Sequence, residues 1–568
     1  TEHQKLDVLQ TTLLGGGFIF PEIENTVLEN NIFGVDINEE SVEIAKLSLW
    51  LRTAQPRRKL NDLSSNIKCG NSIIDNKTVA GDKAFKWEEE FSFIFDKGGF
   101  DVVIGNPPYG AFLDKPSKEF LSKNFDTFQG NFEIYFFFIE LLTKLLKKNG
   151  EAGYITPDTW INIPQAQKLR EHVILEFGIW NIVTFDFNVF EDASVNAIIF
   201  ILKKGEEIKK CKIIHANDKF SDLSVDLLNA KESLIKNWKT SVDKQFQVWQ
   251  SDLDISIISK VISESEEGIN FLDVCQGIVP YSTEHLTKEQ IKERIYHSKE
   301  KESEEWGEWV QGRAISRYGV NAQNKEFLKY GDWLHRSRKP KFFNGERILI
   351  QEITGGNPPR ISAAIFDDVL YHDPGIISCL NVSDVSIKFL LAIINSKLIS
   401  WYNIKTSPKG KRTTFPKVLI GDIRRLPIKR GIRNDVTFIE SKVDVISNSN
   451  KNYLSVINKF QNYLLSQFSE IVLTKKLLNW HELEFSDFIK ELNKAIKSTN
   501  KERAKEELEL IPVLSKLDEM DWMEVFETKK AEAQALKAEI DKTDMEIDQM
   551  VYELYGLTDE EIAIVEAG

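Results

Sequence analysis

Cysteine and long apolar runs are both scarce in this chain of 568 residues. The four cysteines are scattered and none lies in a CxxC pair, so the sequence indicates neither a disulfide framework nor a zinc site, and we expect no metal. The most apolar stretch, Ile134 to Leu142, contains Glu140 and is far shorter than the roughly 20 residues of a membrane-spanning helix. Length and composition predict a cytoplasmic enzyme of roughly three to four domains, without a membrane segment.

Basic residues are outnumbered, and the net charge of −14 argues at first against a nucleic-acid partner. The distribution of charge reverses this argument. Between Arg313 and Arg430 there are 21 Lys or Arg against 9 Asp or Glu, a balance of +12. From Lys501 to the end the count is 8 against 20, a balance of −12. A DNA-binding domain and an ordinary domain with a solvated basic surface both fit this pattern.

The loop Asn106–Tyr109 (NPPY) follows an apolar run, Phe100 to Gly105, that predicts a buried strand ending at a turn. Its chemistry suits methylation of an amine whose lone pair is delocalised into a ring. The Asn106 oxygen and the Pro107 carbonyl can accept both amine hydrogens and localise that lone pair. Prolines restrict the backbone holding these acceptors, and Tyr109 offers a face for stacking. The alternative is a proline-rich turn with Tyr109 packed nearby.

Two further loops precede NPPY. Asn30 to Arg52 predicts a short strand, an acidic residue and then an amphipathic helix. This places Asp36 at the edge of a parallel sheet, where a carboxylate can accept both hydroxyls of a ribose. A role as helix cap or turn residue is the alternative for Asp36. Cys69 to Ile73 (CGNSI) gives another loop, in which Asn71 can hydrogen-bond an adenine edge.

The order of these motifs resembles the amino-group DNA methyltransferases that use S-adenosylmethionine, in the γ arrangement with the target-recognition domain last. The chain is similar to the TaqI-like N6-adenine methyltransferases and to the type IIG (Eco57I-like) restriction-modification enzymes. Three downstream stretches extend the resemblance: Gly130 to Phe138 (GNFEIYFFF), Gly153 to Trp160 (GYITPDTW) and Val189 to Phe200 (VFEDASVNAIIF).

The resemblance implies a binding site for S-adenosylmethionine. Asp36 would hold its ribose, and Ile37 would lie beside its adenine. Asn71 and Ser72 belong to the third motif, in which the family usually has Asp at the position of Asn71. Asn106 would also border the cofactor.

The resemblance also implies the catalytic residues, Asn106, Pro107 and Tyr109. Phe190 would stack on the flipped adenine opposite Tyr109, since an extrahelical base needs apolar partners on its faces. Ordinary core packing is the alternative for Phe190, because the chain has 36 phenylalanines.

A Gly-rich loop of the type DPACGSG, which in this family wraps the methionine end of the cofactor, is absent. The nearest candidate, Gly15 to Gly17, lacks the acidic residue and the preceding strand, and the sequence begins with Thr. We therefore expect a truncated chain that does not complete a cofactor pocket by itself. No acidic-acidic-Lys cluster of a nuclease stands out, and DNA cleavage by the whole protein is left open.

The basic domain resembles the TaqI-like specificity domain, which typically closes with a sequence such as Arg425 to Ile428 (RLPI). Basic loops interrupt its strand-like runs and can present Arg to guanine edges and Lys to phosphates. The candidate DNA-binding residues are Arg336, Arg338, Lys339, Lys341, Arg360, Lys409, Lys411 and Arg412.

The predicted fold class is α/β. We expect a partial Rossmann-like methyltransferase domain over residues 1–205 and a connector over 206–267. An α/β target-recognition domain is expected over 268–433 and a helical region over 434–568. In the last region, apolar positions from Ala533 to Leu554 follow a 3,4 spacing, with Thr543 in the seam, that predicts a helical hairpin or short coiled coil.

The predicted function is site-specific N6-adenine methylation of double-stranded DNA, with base flipping, by a monomer of a restriction-modification or phage-defence system. Two alternatives stay open. NPPY loops also serve enzymes that methylate glutamine side chains or RNA bases. The chain could also be a DNA-specificity module without catalysis.

Overall fold

The structure is a computed structural model that describes residues 23–53, 63–110, 112–130, 132–185, 187–190, 196–216, 230–321, 326–407, 410, 416–468 and 471–568. The candidates Gly15 to Gly17, Lys409, Lys411 and Arg412 lie outside these ranges. The chain divides into two compact units, Thr1–Val248 and Trp249–Gly568. Within the described ranges, none of the helices combines the length and apolarity that spanning a bilayer requires.

The first unit is mixed α/β, as the sequence predicts. In chain order its described elements are α1 (Ile23–Asn31), β1 (Gly34–Asp36), α2 (Glu39–Thr53), β2 (Ile67–Cys69), α3 (Lys77–Ala80), α4 (Trp87–Glu90), α5 (Ser92–Phe95), β3 (Phe100–Gly105), α6 (Lys115–Asn124), α7 (Tyr135–Leu145), β4 (Leu146–Pro157), α8 (Gln167–Glu176), β5 (Phe177–Phe185), β6 (Ala197–Lys204), β7 (Lys210–Ala216), β8 (Lys231–Leu234) and α9 (Ile235–Thr240).

Two sheets organise this unit. Strands β1 and β2 pair in parallel, with Asp36 opposite Cys69. The larger sheet has six strands in the order β3-β4-β6-β5-β7-β8. Its pairs β3–β4 and β5–β7 are parallel, and the other pairs are antiparallel. Among the described residues, no strand pairing joins β1 or β2 to β3, so β3 is the edge of its sheet there.

Helix α7 shows why an almost wholly apolar segment forms a helix here. Its side chains are buried on nearly every side, and Phe137 and Leu141 pack near Val103 of β3. Its one acidic residue, Glu140, is buried but satisfied, because its two carboxylate oxygens accept the backbone N–H groups of Asp126 (3.0 Å) and Thr127 (2.9 Å). Glu140 therefore fixes the loop before α7 instead of reaching solvent.

Strand β3 has the predicted bounds, but it is buried on one face only. Val103 packs into the core beneath α7, whereas Val102 is 60% exposed and Ile104 81% exposed. A continuous apolar run is typical of a parallel strand covered on both faces. The prediction of a buried strand is therefore wrong for the face that carries Val102 and Ile104.

The segment 206–267, for which the sequence predicts a connector, is shared between the two units. Strands β7 and β8 extend the six-stranded sheet and α9 follows them in the first unit, whereas the helix Asp252–Ser263 belongs to the second unit. Lysines alternate with apolar residues along β7, so that Cys211 and Ile213 point into the core and Lys212 is exposed. This alternation is that of a half-buried strand, which a polar composition conceals.

The second unit combines small sheets with long helices. Its described elements are α10 (Asp252–Ser263), β9 (Glu266–Glu267), β10 (Leu272–Gln276), α11 (Lys288–Glu293), β11 (His297–Ser298), β12 (Trp306–Val310), β13 (Ile315–Ser316), β14 (Gly319–Val320), β15 (Glu326–Lys329), β16 (Arg347–Gln351), β17 (Ala363–Phe366), β18 (Tyr371–His372), β19 (Ile376–Asn381), α12 (Ile387–Asn395), α13 (Lys397–Thr406), α14 (Ile420–Arg424), β20 (Pro427–Ile428), α15 (Arg433–Gln467), α16 (Lys475–Leu478), α17 (Phe485–Lys505), α18 (Lys516–Leu554) and α19 (Asp559–Ala567).

The core of the second unit lies between a sheet and the long helices. Four antiparallel strands in the order β10-β19-β16-β17 pack with α12 and α13, and α15 and α18 cover them. At 39 residues, α18 is about 60 Å long. Its buried positions include Ala533, Ile540, Thr543 and Ile547. The 3,4 seam with Thr543 is thus largely buried, and it packs against α12 and α13 as well as against α15.

Candidate active site and candidate DNA interface

The NPPY loop leaves the carboxyl end of a parallel strand pair. Gly105, the last residue of β3, lies opposite Tyr154 of β4, and a Cβ on Gly105 would lie only 3.0 Å from the Tyr154 ring. Asn106 follows with an exposed side chain, whereas Pro107 is buried. The structure therefore anchors the loop through Pro107 and presents the Asn106 amide outward.

Three aromatic rings meet beside this loop. The ring centroid of Tyr109 lies 6.2 Å from that of Tyr135 and 6.4 Å from that of Phe190. The hydroxyl of Tyr135 hydrogen-bonds the Thr159 hydroxyl at 3.1 Å. The Tyr109 hydroxyl is buried without a partner among the described residues, and burial raises the pKa of Tyr109. Tyr109, Tyr135 and Phe190 thus form one aromatic cluster.

The cluster does not have the geometry of a base sandwich. A base between two parallel rings needs them about 7 Å apart, twice a contact distance of about 3.5 Å. The rings of Tyr109 and Phe190 instead meet edge to face at 74°. Stacking on both would require one ring to turn. The sandwich stays a prediction, although the two residues do lie together.

Asp36 lies at the edge formed by the ends of β1 and β2. One of its carboxylate oxygens accepts the Asn38 backbone N–H at 2.8 Å. The cap of α2 is Asn38, whose side chain accepts the N–H groups of Glu40 and Ser41. Asp36 is exposed, so its carboxylate is accessible to a ligand, and Ile37 beside it is 57% exposed.

Asn71 and Ser72 lie close to this edge. The backbone N–H of Gly70 donates to the Asp36 carbonyl at 2.9 Å. This hydrogen bond joins the loop that carries Asp36 to the loop that carries Asn71. The Asn71 side-chain oxygen accepts the Ile73 N–H at 3.2 Å. The remaining side-chain groups, two N–H donors, suit a ring nitrogen of adenine better than its amine. The carbonyl of Ser72 accepts a hydrogen bond from the indole N–H of Trp87 at 2.9 Å.

Gly70 gives a testable link between this loop and the fold. A Cβ on Gly70 would lie 2.3 Å from the ring of Phe85, which is buried and cannot move freely. We expect Gly70→Ala to destabilise the first unit by about 1–3 kcal/mol in urea unfolding. The matched control is Gly34→Ala in β1, where the nearest atom, in Ile67, lies 3.3 Å away. Equal stability of the two variants would contradict the packing role of Gly70.

The segment 332–341 of the second unit has an anchored backbone and carries four of the predicted cations, three of which are exposed. Arg336 pairs with Val279 through two backbone hydrogen bonds of 2.9 and 3.2 Å. The Arg338 carbonyl accepts the Tyr330 hydroxyl at 2.9 Å. Arg336 and Lys339 are exposed and have no ion pair within the described ranges. We call residues 332–341 the basic loop.

Three other predicted DNA contacts have partners in the protein itself. The Nε–H of Arg338 donates to the Gly277 carbonyl at 3.3 Å. Lys341 donates to Asp273 at 2.6 Å. Arg360 donates to Asp544 at 3.0 Å and to Asp548 at 3.0 and 3.1 Å. The structure therefore gives Arg360 an internal role and does not support its place among the DNA contacts. Part of the positive charge of this domain neutralises the acidic helix α18.

Sequence reasoning missed two contributors to these sites. Tyr135 lies within the GNFEIYFFF stretch, and its aromatic character was a signal that the motif itself offered. Arg317, which pairs with Asp544, gave no signal, because the two residues are 227 positions apart. Only the tertiary structure brings them together.

Three family models match the chain. Residues 30–190 match the Eco57I restriction-modification methylase, and residues 308–428 match the TaqI-like C-terminal specificity domain. Residues 433–551 match a domain of unknown function, DUF8810. The first two matches cover the NPPY loop and the basic loop, respectively. The matches indicate a methylase domain followed by a specificity domain.

Residues 30–190 are therefore similar to the methylase of Eco57I-like restriction-modification enzymes and residues 308–428 to a TaqI-like specificity domain, and the predicted resemblance is confirmed. The type II restriction enzyme and methyltransferase RM.Eco57I of Escherichia coli is 26% identical over 300 residues, 48% of this chain and 28% of that protein. A Methanocaldococcus jannaschii protein, named provisionally as a type II restriction enzyme and methyltransferase, is 27% identical over 355 residues, 61% of this chain and 28% of its own. The matches span less than a third of either relative.

One of the solved structures with a similar fold is matched along the full length of this chain. It is the type IIL restriction-modification enzyme MmeI in complex with DNA, which matches 100% of this chain and 69% of its own at a TM-score of 0.52. The two sequences are only 12% identical. This likeness concerns the fold.

Proposed function

We propose that this chain is the methyl-transferring and sequence-recognising part of a site-specific DNA methyltransferase that modifies the N6 amine of adenine. It would serve a restriction-modification or phage-defence system. The observation that carries the proposal is the NPPY loop at the carboxyl end of β3, with Asn106 exposed and Tyr109 beside two further aromatic rings. This combination offers hydrogen-bond acceptors for an amine and apolar faces for its ring.

The residues present fit the ribose and adenine of S-adenosylmethionine. Asp36 is an exposed carboxylate at a strand end, Ile37 is an exposed apolar neighbour, and Asn71 retains donors for a ring nitrogen. When bound, the cofactor supplies an electrophilic methyl group on a positively charged sulfur. The chain's contribution is to hold the two reactants in line.

Asn106 acts on the nucleophile. Its side-chain oxygen accepts one N6 hydrogen and the Pro107 carbonyl accepts the other, which moves the lone pair out of the ring and onto nitrogen. With the cofactor bound, N6 held in this way would take the methyl group from the sulfur, and one N6 proton would leave to solvent. No strongly basic side chain is needed, because the charged amine product is acidic.

The aromatic cluster holds the base once it has left the duplex. Tyr109 takes one face, and Phe190 takes the other after the ring rotation that the edge-to-face geometry requires. Each stacking contact contributes about 1–3 kcal/mol against the loss of base stacking. Tyr135 supports the Tyr109 ring from its edge and is itself fixed by Thr159.

The proposal is tested by identifying the methylated product. A form of the protein that binds S-adenosylmethionine is incubated with duplex DNA and a cofactor labelled at its methyl group, and the DNA is digested to nucleosides. We expect the label in N6-methyladenine. Label in cytosine, in added RNA or in protein glutamine would overturn the assignment of substrate.

DNA recognition by the basic loop gives a second prediction. We expect Arg336→Ala and Lys339→Ala each to weaken duplex binding, because each cation that binds a phosphate releases a counterion. The slope of log affinity against log salt should fall by about 0.9 for each phosphate that the variant no longer neutralises. The control is Lys451→Ala, an exposed lysine on α15. An unchanged slope in both loop variants would remove the loop from the interface.

A second candidate is a DNA-specificity module that does not transfer methyl groups. It is favoured by the absence, among the described residues, of a strand that joins β1 and β2 to β3. Calorimetric titration of the whole protein with S-adenosylmethionine separates the two candidates, because this chain is not expected to complete a cofactor pocket by itself. Saturable heat of binding supports the methyltransferase, and none supports the specificity module.

A further inference from the structure

Two histidines of the second unit stand apart from the others. The described part of the chain contains seven histidines, and five of them use a ring nitrogen in a hydrogen bond. These five are His172, His215, His297, His372 and His481. His285 and His335 have no such partner among the described residues, and their ring centroids lie 6.4 Å apart.

The carboxylate of Glu284 lies near both histidines. One ligand atom from each of Glu284, His285 and His335 lies within 4.8 Å of the others. We propose that these three residues bind a divalent transition-metal ion, with Zn²⁺ the favoured ion. Two imidazoles and one carboxylate are a ligand set that Zn²⁺ takes readily, with water in the fourth position.

The backbone holds the two segments that carry these ligands. The carbonyl of Ser282 accepts the N–H groups of His285 and Leu286 at 3.3 and 3.1 Å, which forms a tight turn. On the other side, the His335 N–H donates to the Pro280 carbonyl at 3.3 Å, next to the paired backbones of Val279 and Arg336. Backbone hydrogen bonds therefore hold the turn and the basic loop next to each other.

The side chains need only a small adjustment to coordinate. Ligands bonded at about 2.1 Å in a tetrahedral site lie about 3.4 Å apart. The present spread is at most 4.8 Å, so the atoms must close by no more than about 1.4 Å. Glu284 and His285 are exposed and His335 is half-buried, so side-chain rotation can supply this movement.

Metal binding would restrict the motion of the basic loop. His335 immediately precedes Arg336, so a metal that joins it to the turn at residues 282–286 would limit the motion of the loop's cations. This consequence rests on the proposed DNA recognition. The metal site itself does not, because it needs neither DNA nor cofactor.

The test is a titration of the reduced, metal-free chain with Zn²⁺ alone. We expect saturable binding of one ion, weakened at least about tenfold by His285→Ala and by His335→Ala. The matched control is His172→Gln, whose imidazole hydrogen-bonds Thr143, and it should bind as the unaltered chain does. Absence of saturable binding, or binding unaffected by His335→Ala, would overturn the proposal.

Co²⁺ identifies the ligands directly. Tetrahedral coordination by imidazole and carboxylate gives visible d–d absorption without the strong thiolate charge-transfer band of cysteine ligation. This matters because Cys69 and Cys275 are only half-buried. A thiolate band would assign the metal to cysteine and refute the histidine site. Since the test uses no DNA, its failure would leave the methyltransferase proposal standing, and failed methylation would leave the metal site standing.

Discussion

Replacing Asn106 with alanine is expected to lower the rate of methyl transfer by at least about 100-fold while DNA affinity stays the same. A preorganised hydrogen-bonding group that acts on the reacting atoms contributes about 100- to 1,000-fold to the rate. Asn106 is exposed at the end of β3 and Pro107 anchors the loop, so the alanine variant should keep its fold. The measurement is single-turnover transfer of a labelled methyl group, with duplex binding recorded in parallel.

Two comparisons make the Asn106 result specific. Asn106→Asp keeps an acceptor oxygen and should retain part of the rate, because acceptance of the amine hydrogen is the proposed role. Asn124→Ala removes an exposed asparagine at the end of α6 and should leave the rate unchanged. Undiminished transfer by Asn106→Ala would refute the mechanism. A parallel loss of DNA binding would instead indicate that the loop has a role in recognition.

Local sequence signals predicted the parts of the site that depend on neighbouring residues. The bounds of β3, the turn at NPPY and the strand–Asp–helix order around Asp36 each follow from apolar periodicity and turn residues within a short window. The structure has the strand and the strand–Asp–helix order, and at NPPY the backbone bends from Tyr109 without a hydrogen-bonded turn in the described residues 106–110. It also shows that Asn38, not Asp36, caps α2, whereas Asp36 accepts the Asn38 N–H as a turn residue does.

Relations between distant segments could not be predicted in the same way. The sequence placed Phe190 opposite Tyr109 only through a family pattern, and the 74° angle between the rings depends on packing that no local window contains. A count of charged residues over a long segment likewise does not show which of the cations form ion pairs within the protein. It counted Arg360 as a cation available to DNA, whereas Asp544 and Asp548, more than 180 positions away, bind it.

Replacing Asp548 with alanine is expected to destabilise the second unit by about 3 kcal/mol, the lower end of the cost of breaking a buried ion pair. Asp548 is only 2% exposed. It accepts two hydrogen bonds from Arg360, at 3.0 and 3.1 Å, and the Lys397 backbone N–H at 2.7 Å. Burial raises the pKa of Asp548 to about 6 against the opposing effect of Arg360, so the carboxylate is still charged at neutral pH. Alanine would leave the Arg360 charge and a backbone donor in the core with fewer partners.

The remaining contacts of the cluster limit the destabilisation and make it measurable. Asp544 still accepts hydrogen bonds from both Arg360 and Arg317, so Arg360 keeps one carboxylate when Asp548 is removed. Asp548→Asn, which keeps the shape and an acceptor oxygen, should therefore cost less than Asp548→Ala in urea unfolding followed at neutral pH. The control is Asp541→Ala on the same helix, whose exposed carboxylate pairs with Lys537 one turn away and should change stability by no more than about 0.5 kcal/mol.

A double-variant cycle tests the assignment of Arg360 to the interior. If Arg360 and Asp548 stabilise the unit through each other, removing Arg360 first should make the effect of removing Asp548 much smaller, because the buried carboxylate is then already without its counter-charge. Additive effects would show that the two residues act independently and would return Arg360 to the set of cations available to DNA. A coupling of about 1–3 kcal/mol is expected, in the range measured for residues that share one buried network.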